Sequence, residues 1–273
     1  MRMQETLAAA LAMLTWACED PGFESRVTLS GYRVIGIEAD PPEAAPDDIV
    51  TLRVHDYQDN GEAVDYRFSL CLVDPGPDAR YRCPDAALQL EVGDGPEVTL
   101  DLGPGALDLQ TRLREAGDAA SNTDGSAPSV EAGFDMLLSL DSGQDCDGCR
   151  RVQSVKRLRI RDADLSERNH NPVVLTFEAP AETAPGVDLP LSVEVEPPEA
   201  FQDEQGETHT EQYLFTWYSS LGEAAPALTY ADEQRTELPI PDDAEPGSPI
   251  TVAVAVRDGR GGLTVARRQV MIR

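Results

Sequence analysis

Two stretches of this chain carry the same pattern, and that repetition limits what the chain can fold into. The first runs from Phe134 to Ile160. Apolar residues alternate at Phe134, Met136, Leu138 and Leu140, a polar turn follows, and Val155, Leu158 and Ile160 resume the pattern. The second closes the chain as ITVAVAVRDGRGGLTVARRQVMIR, Ile250 to Arg273. Period-two alternation on both sides of a glycine- or Asp-rich turn predicts an antiparallel β-hairpin. The same hairpin used twice predicts two copies of one β-domain.

The segments before each hairpin repeat as well. Tyr32 to Asp40 and Val173 to Pro180 each read as a strand running into a proline-broken turn. Ala45-Pro46 matches Ala184-Pro185, and Val50–Val54 matches Leu189–Val193 as second strands. Tyr66–Cys71 matches Tyr213–Tyr218 as a third strand. Shorter strands near 96–102 and 235–240 precede the hairpins. With 21 prolines and 21 glycines, frequent turns between short strands resemble the immunoglobulin-like β-sandwich. The fold class is therefore all-β, two tandem immunoglobulin-like β-sandwiches after an N-terminal signal peptide. Trp217 lies where that family buries a core tryptophan. The run VAVRDGRGG resembles bacterial surface repeats of the polycystic-kidney-disease type, without their Trp-Asp-Phe-Gly-Asp-Gly. The expected layout is a signal peptide over 1–17, a flexible tether over 18–31, a first sandwich over 32–162, a linker over 163–172 and a second sandwich over 173–273. The first sandwich carries an insertion, 103–131, in which Leu107–Ala116 could form a short helix before a polar loop.

Residues 7–17, LAAALAMLTWA, follow Arg2 and stop at Cys18. An apolar run this short falls below the roughly 20 residues that span a bilayer but suits a signal-peptide core. Ala17-Cys18 resembles the lipidation site of bacterial lipoproteins, which implies acylation of Cys18 and a membrane partner through that lipid. Thr15 and Trp16 depart from the family's usual residues. The net charge of −28 repels nucleic acid and disfavours it as a partner. The resemblance implies a cell-envelope protein, lipid-anchored at the outer membrane, in the periplasm or at the cell surface, with a protein or glycan partner.

Four further cysteines, Cys71, Cys83, Cys146 and Cys149, form an even set, as in disulfide-bearing exported proteins. In a sandwich of immunoglobulin-like order, Cys71 and Cys146 fall at opposite ends of neighbouring strands. Pairs Cys71–Cys83 and Cys146–Cys149 follow, because bridged Cα atoms lie within about 7 Å. Zinc at the four cysteines and a redox role for Cys146-Asp-Gly-Cys149 are the competing readings.

No cofactor is expected, with calcium as the one candidate. Asp141, Asp145 and Asp147 lie near the first hairpin's turn, at the same end of the sandwich as Asp56 and Asp59. The junction Asp162-Ala-Asp164-Leu-Ser-Glu-Arg-Asn169-His-Asn171 resembles the calcium-binding linkers of cadherins, and Asp258 would face it. In the basic strand Arg150–Arg161, Arg157, Arg159 and Arg161 share one face, where cross-strand pairing with acids competes with a stripe for an anionic partner. Three histidines, His55, His170 and His209, lie in polar stretches, and no nucleophile elbow, His-Glu-x-x-His or phosphate loop is present. The expectation is a non-enzymatic binding, adhesion or structural module. An exported enzyme or hydrolase accessory module, using loops around 103–131, is the alternative.

Overall fold

The structure, a computed structural model, describes residues 25–72, 90–102, 134–144, 149, 151–162, 164, 168–203 and 206–273. The chain is all-β, and the duplication is visible strand by strand. The first half contributes β1 (Arg33–Asp40), β2 (Glu43–Ala44), β3 (Ile49–Tyr57), β4 (Val64–Leu72), β5 (Leu90–Asp94), β6 (Glu97–Asp101), β7 (Phe134–Gln144) and β8 (Val152–Ile160). They form a three-stranded sheet in the order β1-β3-β6 and a five-stranded sheet in the order β2-β8-β7-β4-β5.

The second half supplies β9 (Val174–Glu178), β10 (Glu182–Thr183), β11 (Leu189–Val195), β12 (Ala200–Gln202), β13 (Thr208–Thr210), β14 (Leu214–Ser219), β15 (Leu228–Tyr230), β16 (Arg235–Leu238), β17 (Pro249–Arg257) and β18 (Leu263–Ile272). Its sheets run β16-β11-β9 and β10-β18-β17-β14-β15, the same two orders again. The small β12–β13 hairpin is an addition of the second copy. Both predicted hairpins form, β7 pairing with β8 and β17 with β18 along their lengths.

Each sandwich buries the alternating positions of its strands between its two sheets. Leu52, Phe68, Leu138, Leu140 and Leu158 centre the first core. Phe215, Trp217, Val252, Val254 and Val256 centre the second. Trp217 is fully buried, and its Nε1–H donates to the Thr229 hydroxyl at 3.0 Å, so the indole's polar edge is satisfied where it would otherwise cost stability.

A third apolar cluster joins the halves. Ala253 and Ala255 point away from the second core, yet both are fully buried, under Val27, Leu29, Ile35 and Leu263. The tether expected over 18–31 is therefore shorter than the sequence implied. Leu29 N–H donates to Ser219 O at 2.7 Å and Ser219 N–H to Val27 O at 3.2 Å, forming a parallel bridge between Thr28 and Ser219. The physical reason is apolar burial, since Val27 and Leu29 cover the small alanines of β17. The signal stretch, Cys18, the 103–131 insertion and its expected helix, Cys83, Cys146, Asp145 and Asp147 lie outside the described residues. Among the described residues no helix is long and apolar enough to cross a membrane.

Candidate functional site

The junction between the sandwiches is where the chain concentrates its polar chemistry. It begins with a bulge. The register of β1 against β3 shifts between Val34 and Gly36, so Ile35 turns out of its own ladder toward the second half. Bulges re-aim side chains in this way. Ile35 is buried in the joining cluster, and its carbonyl accepts from the Arg257 guanidinium at 3.0 Å. Gly36 allows the approach, because a Cβ there would stand 2.5 Å from Leu263 Cδ2.

The β17–β18 turn forms the other wall. Asp258 is almost fully buried. Its Oδ1 accepts the N–H groups of Arg260, Gly261 and Gly262 at 2.7, 3.0 and 2.9 Å. Its Oδ2 accepts from Gly262 N at 3.0 Å and from Asn169 Nδ2 at 2.7 Å. Gly262 has no room for a side chain, since a Cβ would lie 2.1 Å from Asp258 Oδ2 and 2.9 Å from the His170 carbonyl. Leu263 N–H donates to Asn171 Oδ1 at 2.9 Å, and Asn171 Nδ2 to Ala39 O at 2.8 Å. The linker is thus laced to both halves.

Arg260 is the charge at the centre of this junction. Its guanidinium reaches Glu211 at 2.9 Å, Glu43 at 3.6 Å and Glu199 at 3.8 Å, and lies 4.3 Å from the centroid of the Phe201 ring. Glu43 belongs to the first half and the other three residues to the second. The Glu211 side chain is 1% exposed. Burial is the main cause that pushes its carboxyl above the usual range, the Asp258 charge adds to it, and Arg260 opposes both. Glu43 also accepts from Arg161 Nε at 2.5 Å and from Asn169 N at 3.0 Å, while Arg168 pairs with Asp48.

Beside this lattice opens a cleft of about 520 Å³ between β1, β8 and the β17–β18 turn. Among the described residues its charged lining is Lys156, Arg157 and Arg257, with no aspartate or glutamate. Lys156 Nζ donates to Gly261 O at 2.5 Å. Burial pulls its pKa down to about 8, against the opposing pull of Asp258 and Glu38 and with Arg257 adding to the fall. Lys156 is the one lysine in the chain. A larger concavity over β9, β11 and β16 mixes Glu178, Glu233 and Glu237 with Arg235 and Arg268 and has no single character.

The residues expected to hold calcium are placed as follows. Asp141 pairs with Arg151 at 2.9 Å, Asp56 accepts the Tyr66 hydroxyl at 2.6 Å, and Asp59 accepts Gly31 N–H at 2.9 Å. The two loops do share an end, since Asn60 and Gln144 exchange hydrogen bonds, but each carboxylate is turned to its own donor. At the junction, Asn169 and Asp258 meet as expected, yet Asp258 is surrounded by N–H donors rather than by further oxygens. Asp162 and Asp164 are exposed. Among the described residues the one group of three convergent metal-type ligands is Asp203, Glu207 and His209 on the β12–β13 hairpin, which the sequence did not single out. There His209 Nε2 and Asp203 Oδ2 are 2.7 Å apart.

The arginine face of β8 is engaged across strands: Arg159 and Arg157 lie 3.4 and 3.8 Å from Asp135. His55 and His170 pair with Glu38 and Glu199 at 2.7 and 2.9 Å. Cys71 stands opposite Leu137 in the β4–β7 ladder, whereas Gln144 stands opposite Val64 and Cys149 Sγ lies 4.0 Å from Gln144 Oε1. Seven residues of strand, about 24 Å, therefore separate Cys71 from Cys149.

No protein-family model and no curated protein matches this chain. Among solved structures it is similar to the three N-terminal domains of the bacteriophage RB49 Highly Immunogenic Outer Capsid protein, at 14% identity and a TM-score of 0.25, covering 89% of this chain and 59% of that one. It is also similar to SGBP-B of the Bacteroides ovatus mixed-linkage glucan utilization locus, solved with a mixed-linkage heptasaccharide (11% identity, TM-score 0.22, 89% and 47% covered). A third is Drosophila N-cadherin EC1-4 (8%, 0.22, 87% and 49%). This chain thus spans about half the length of the chains it resembles. The strand order itself gives the tandem sandwich fold.

Proposed function

We propose that the chain is a non-enzymatic binding module of the bacterial cell envelope, anchored by acylation of Cys18 and acting through its two sandwiches as one body. The observation that carries this reading is the junction. Val27–Leu29, Asp258 and Arg260 fasten the halves together, and seven buried apolar residues fill the space between them. Independent beads on a string need no such interface. A fixed composite surface with a cleft at its seam suits recognition of a protein or a glycan.

Export is supported by the apolar run ending at Cys18 and by the even set of four further cysteines, and we propose that Cys71 and Cys149 are each disulfide-bonded. Their separation along β4 and β7 supports the pairs Cys71–Cys83 and Cys146–Cys149, and the domain limits 32–162 and 173–273 follow the duplicated strand sets. Intact-mass and N-terminal peptide analysis of protein extracted from its native membrane tests the anchor. An acyl adduct on Cys18, with the mass deficit of about 4 Da that two disulfides produce, is expected. An unprocessed Met1 with free thiols overturns the envelope reading. Binding is tested by passing envelope extract over the immobilised protein. A retained component lost on Arg260→Ala supports the module. Hydrolysis of envelope polymers that disappears on deleting 103–131 would instead establish the enzyme.

A further inference from the structure

We propose that the interdomain cleft is a receptor for a small organic anion, a carboxylate or sulfate group, with Lys156 as its central charge and Arg257 beside it. The inference rests on the binding-module reading and names the chemistry of its ligand.

Three observations carry it. The first is charge selection. The chain holds 50 acidic against 22 basic residues, yet among the described residues the charged groups lining the cleft are all basic. The second is how those cations are engaged. Arg53, Arg161, Arg168 and Arg260 each bond a carboxylate. Among the described residues, the hydrogen bonds of Lys156 and Arg257 go to neutral oxygens alone: Gly261 O for the lysine, Ile35 O and the Thr216 hydroxyl for the arginine. The acids facing Lys156 are already engaged. Asp258 on the β17–β18 turn accepts its hydrogen bonds from neutral N–H groups and attracts Lys156 only through its charge, and Glu38 on β1 is held by His55 and Arg53. The third is cost. A cation taken out of water with no carboxylate bonded to it opposes folding, and the lowered proton affinity of Lys156, which persists against the pull of Asp258 and Glu38, marks that cost. Groups that disfavour the folded state and line a cleft are characteristic of binding sites. The cleft's size falls within the range of small-molecule sites.

An anion in the cleft supplies a counter-charge in direct contact, so it binds the ammonium form and raises the Lys156 pKa in proportion to its affinity. Because the chain has one lysine, reductive ¹³C-methylation followed by NMR gives that side chain's titration directly, separate from any free α-amino group. D-glucuronate is the carboxylate probe, inorganic sulfate the other anion, and D-glucose the uncharged control, all at constant ionic strength. The expected result is a saturable shift of the Lys156 resonance with glucuronate or sulfate and none with glucose, with an apparent pKa rise of about one unit, a tenfold preference for the charged form. Binding read by calorimetry on unmethylated protein should weaken about tenfold or more in Lys156→Met. Preference for glucuronate assigns a carboxylate ligand, and preference for sulfate a sulfated one. No saturable shift with either, or equal affinity of wild type and Lys156→Met, overturns the anion site. A partner retained from envelope extract despite that result leaves the binding-module reading standing without this cleft.

Discussion

Replacing Arg260 by alanine removes one guanidinium and leaves three carboxylates facing one another. The side chain of Glu211 is 1% exposed and that of Glu43 8% exposed, while Arg260 itself is 19% exposed, so little of the charge is screened by water. Glu43 keeps Arg161, but Glu211 keeps only the Glu199 N–H at 3.3 Å. Breaking a buried pair by removing one partner costs about 3–5 kcal/mol. The Phe201 contact adds less, about 0.5–1 kcal/mol. The lower end, about 3 kcal/mol, is expected near pH 7. The loss has a pH signature. The Glu211 carboxyl already sits above its usual range in the folded protein, and without Arg260 it rises further. A carboxyl whose folded pKa exceeds its unfolded one penalises folding once pH climbs through that range, and the penalty is absent below the unfolded value. The deficit of Arg260→Ala should therefore shrink from pH 7 toward pH 4.5. Urea unfolding followed by Trp217 fluorescence measures both. A loss under about 1 kcal/mol, or one equal at both pH values, would refute the view that Arg260 neutralises a buried acid.

Lys156→Met should raise stability near pH 7 by up to about 3 kcal/mol, the equivalent of a pKa lowered from 10.5 to about 8. In the wild type, the unfolded chain binds the extra proton between those values, so stability should climb from pH 8 to 10 and the climb should vanish in the variant. Gly262→Ala forces a methyl onto the His170 carbonyl and the Asp258 carboxylate, and should cost about 2 kcal/mol in denaturant unfolding. Leu29→Glu should free the N-terminal segment, lowering stability by about 2 kcal/mol and making residues 25–29 protease-sensitive while the second core stays folded. Millimolar calcium or its chelation should leave the melting temperature unchanged, because Asp258 already accepts from four N–H groups, that of Gly262 shared between both oxygens.

The architecture was legible because it is written twice. The alternation at Phe134–Leu140 and the VAVRDGRGG turn give the hairpins, and matching strands upstream give the sandwich. The junction was harder to read. Ile250–Val256 is apolar at every second position and small and apolar in between, at Ala253 and Ala255. That absence of polar alternation signals a strand buried on both faces, and hence a partner surface beyond the sandwich core. The covering residues Val27, Leu29 and Ile35 lie more than two hundred positions away, and no local pattern ties them to β17. Asp258 was placed facing the junction from its position, but sequence shows its charge and not the direction of neighbouring N–H groups. Lys156 was visible as the single lysine. Its meaning was not, since that depends on the engagement of Asp258 and Glu38 by other residues.

The docking of Val27–Leu29 limits the geometry of the proposed lipid anchor. With Cys18 acylated, the stretch from the lipid to Val27 spans at most about 30 Å, and it is fastened to the last-made sandwich at Ser219 rather than only to the first. In the anchored arrangement proposed above, the two sandwiches would not rise from the bilayer as a stalk with the first at its base and the second at its tip. The seam between them would be the part tied nearest the lipid, and a ligand bound there would be met close to the lipid surface.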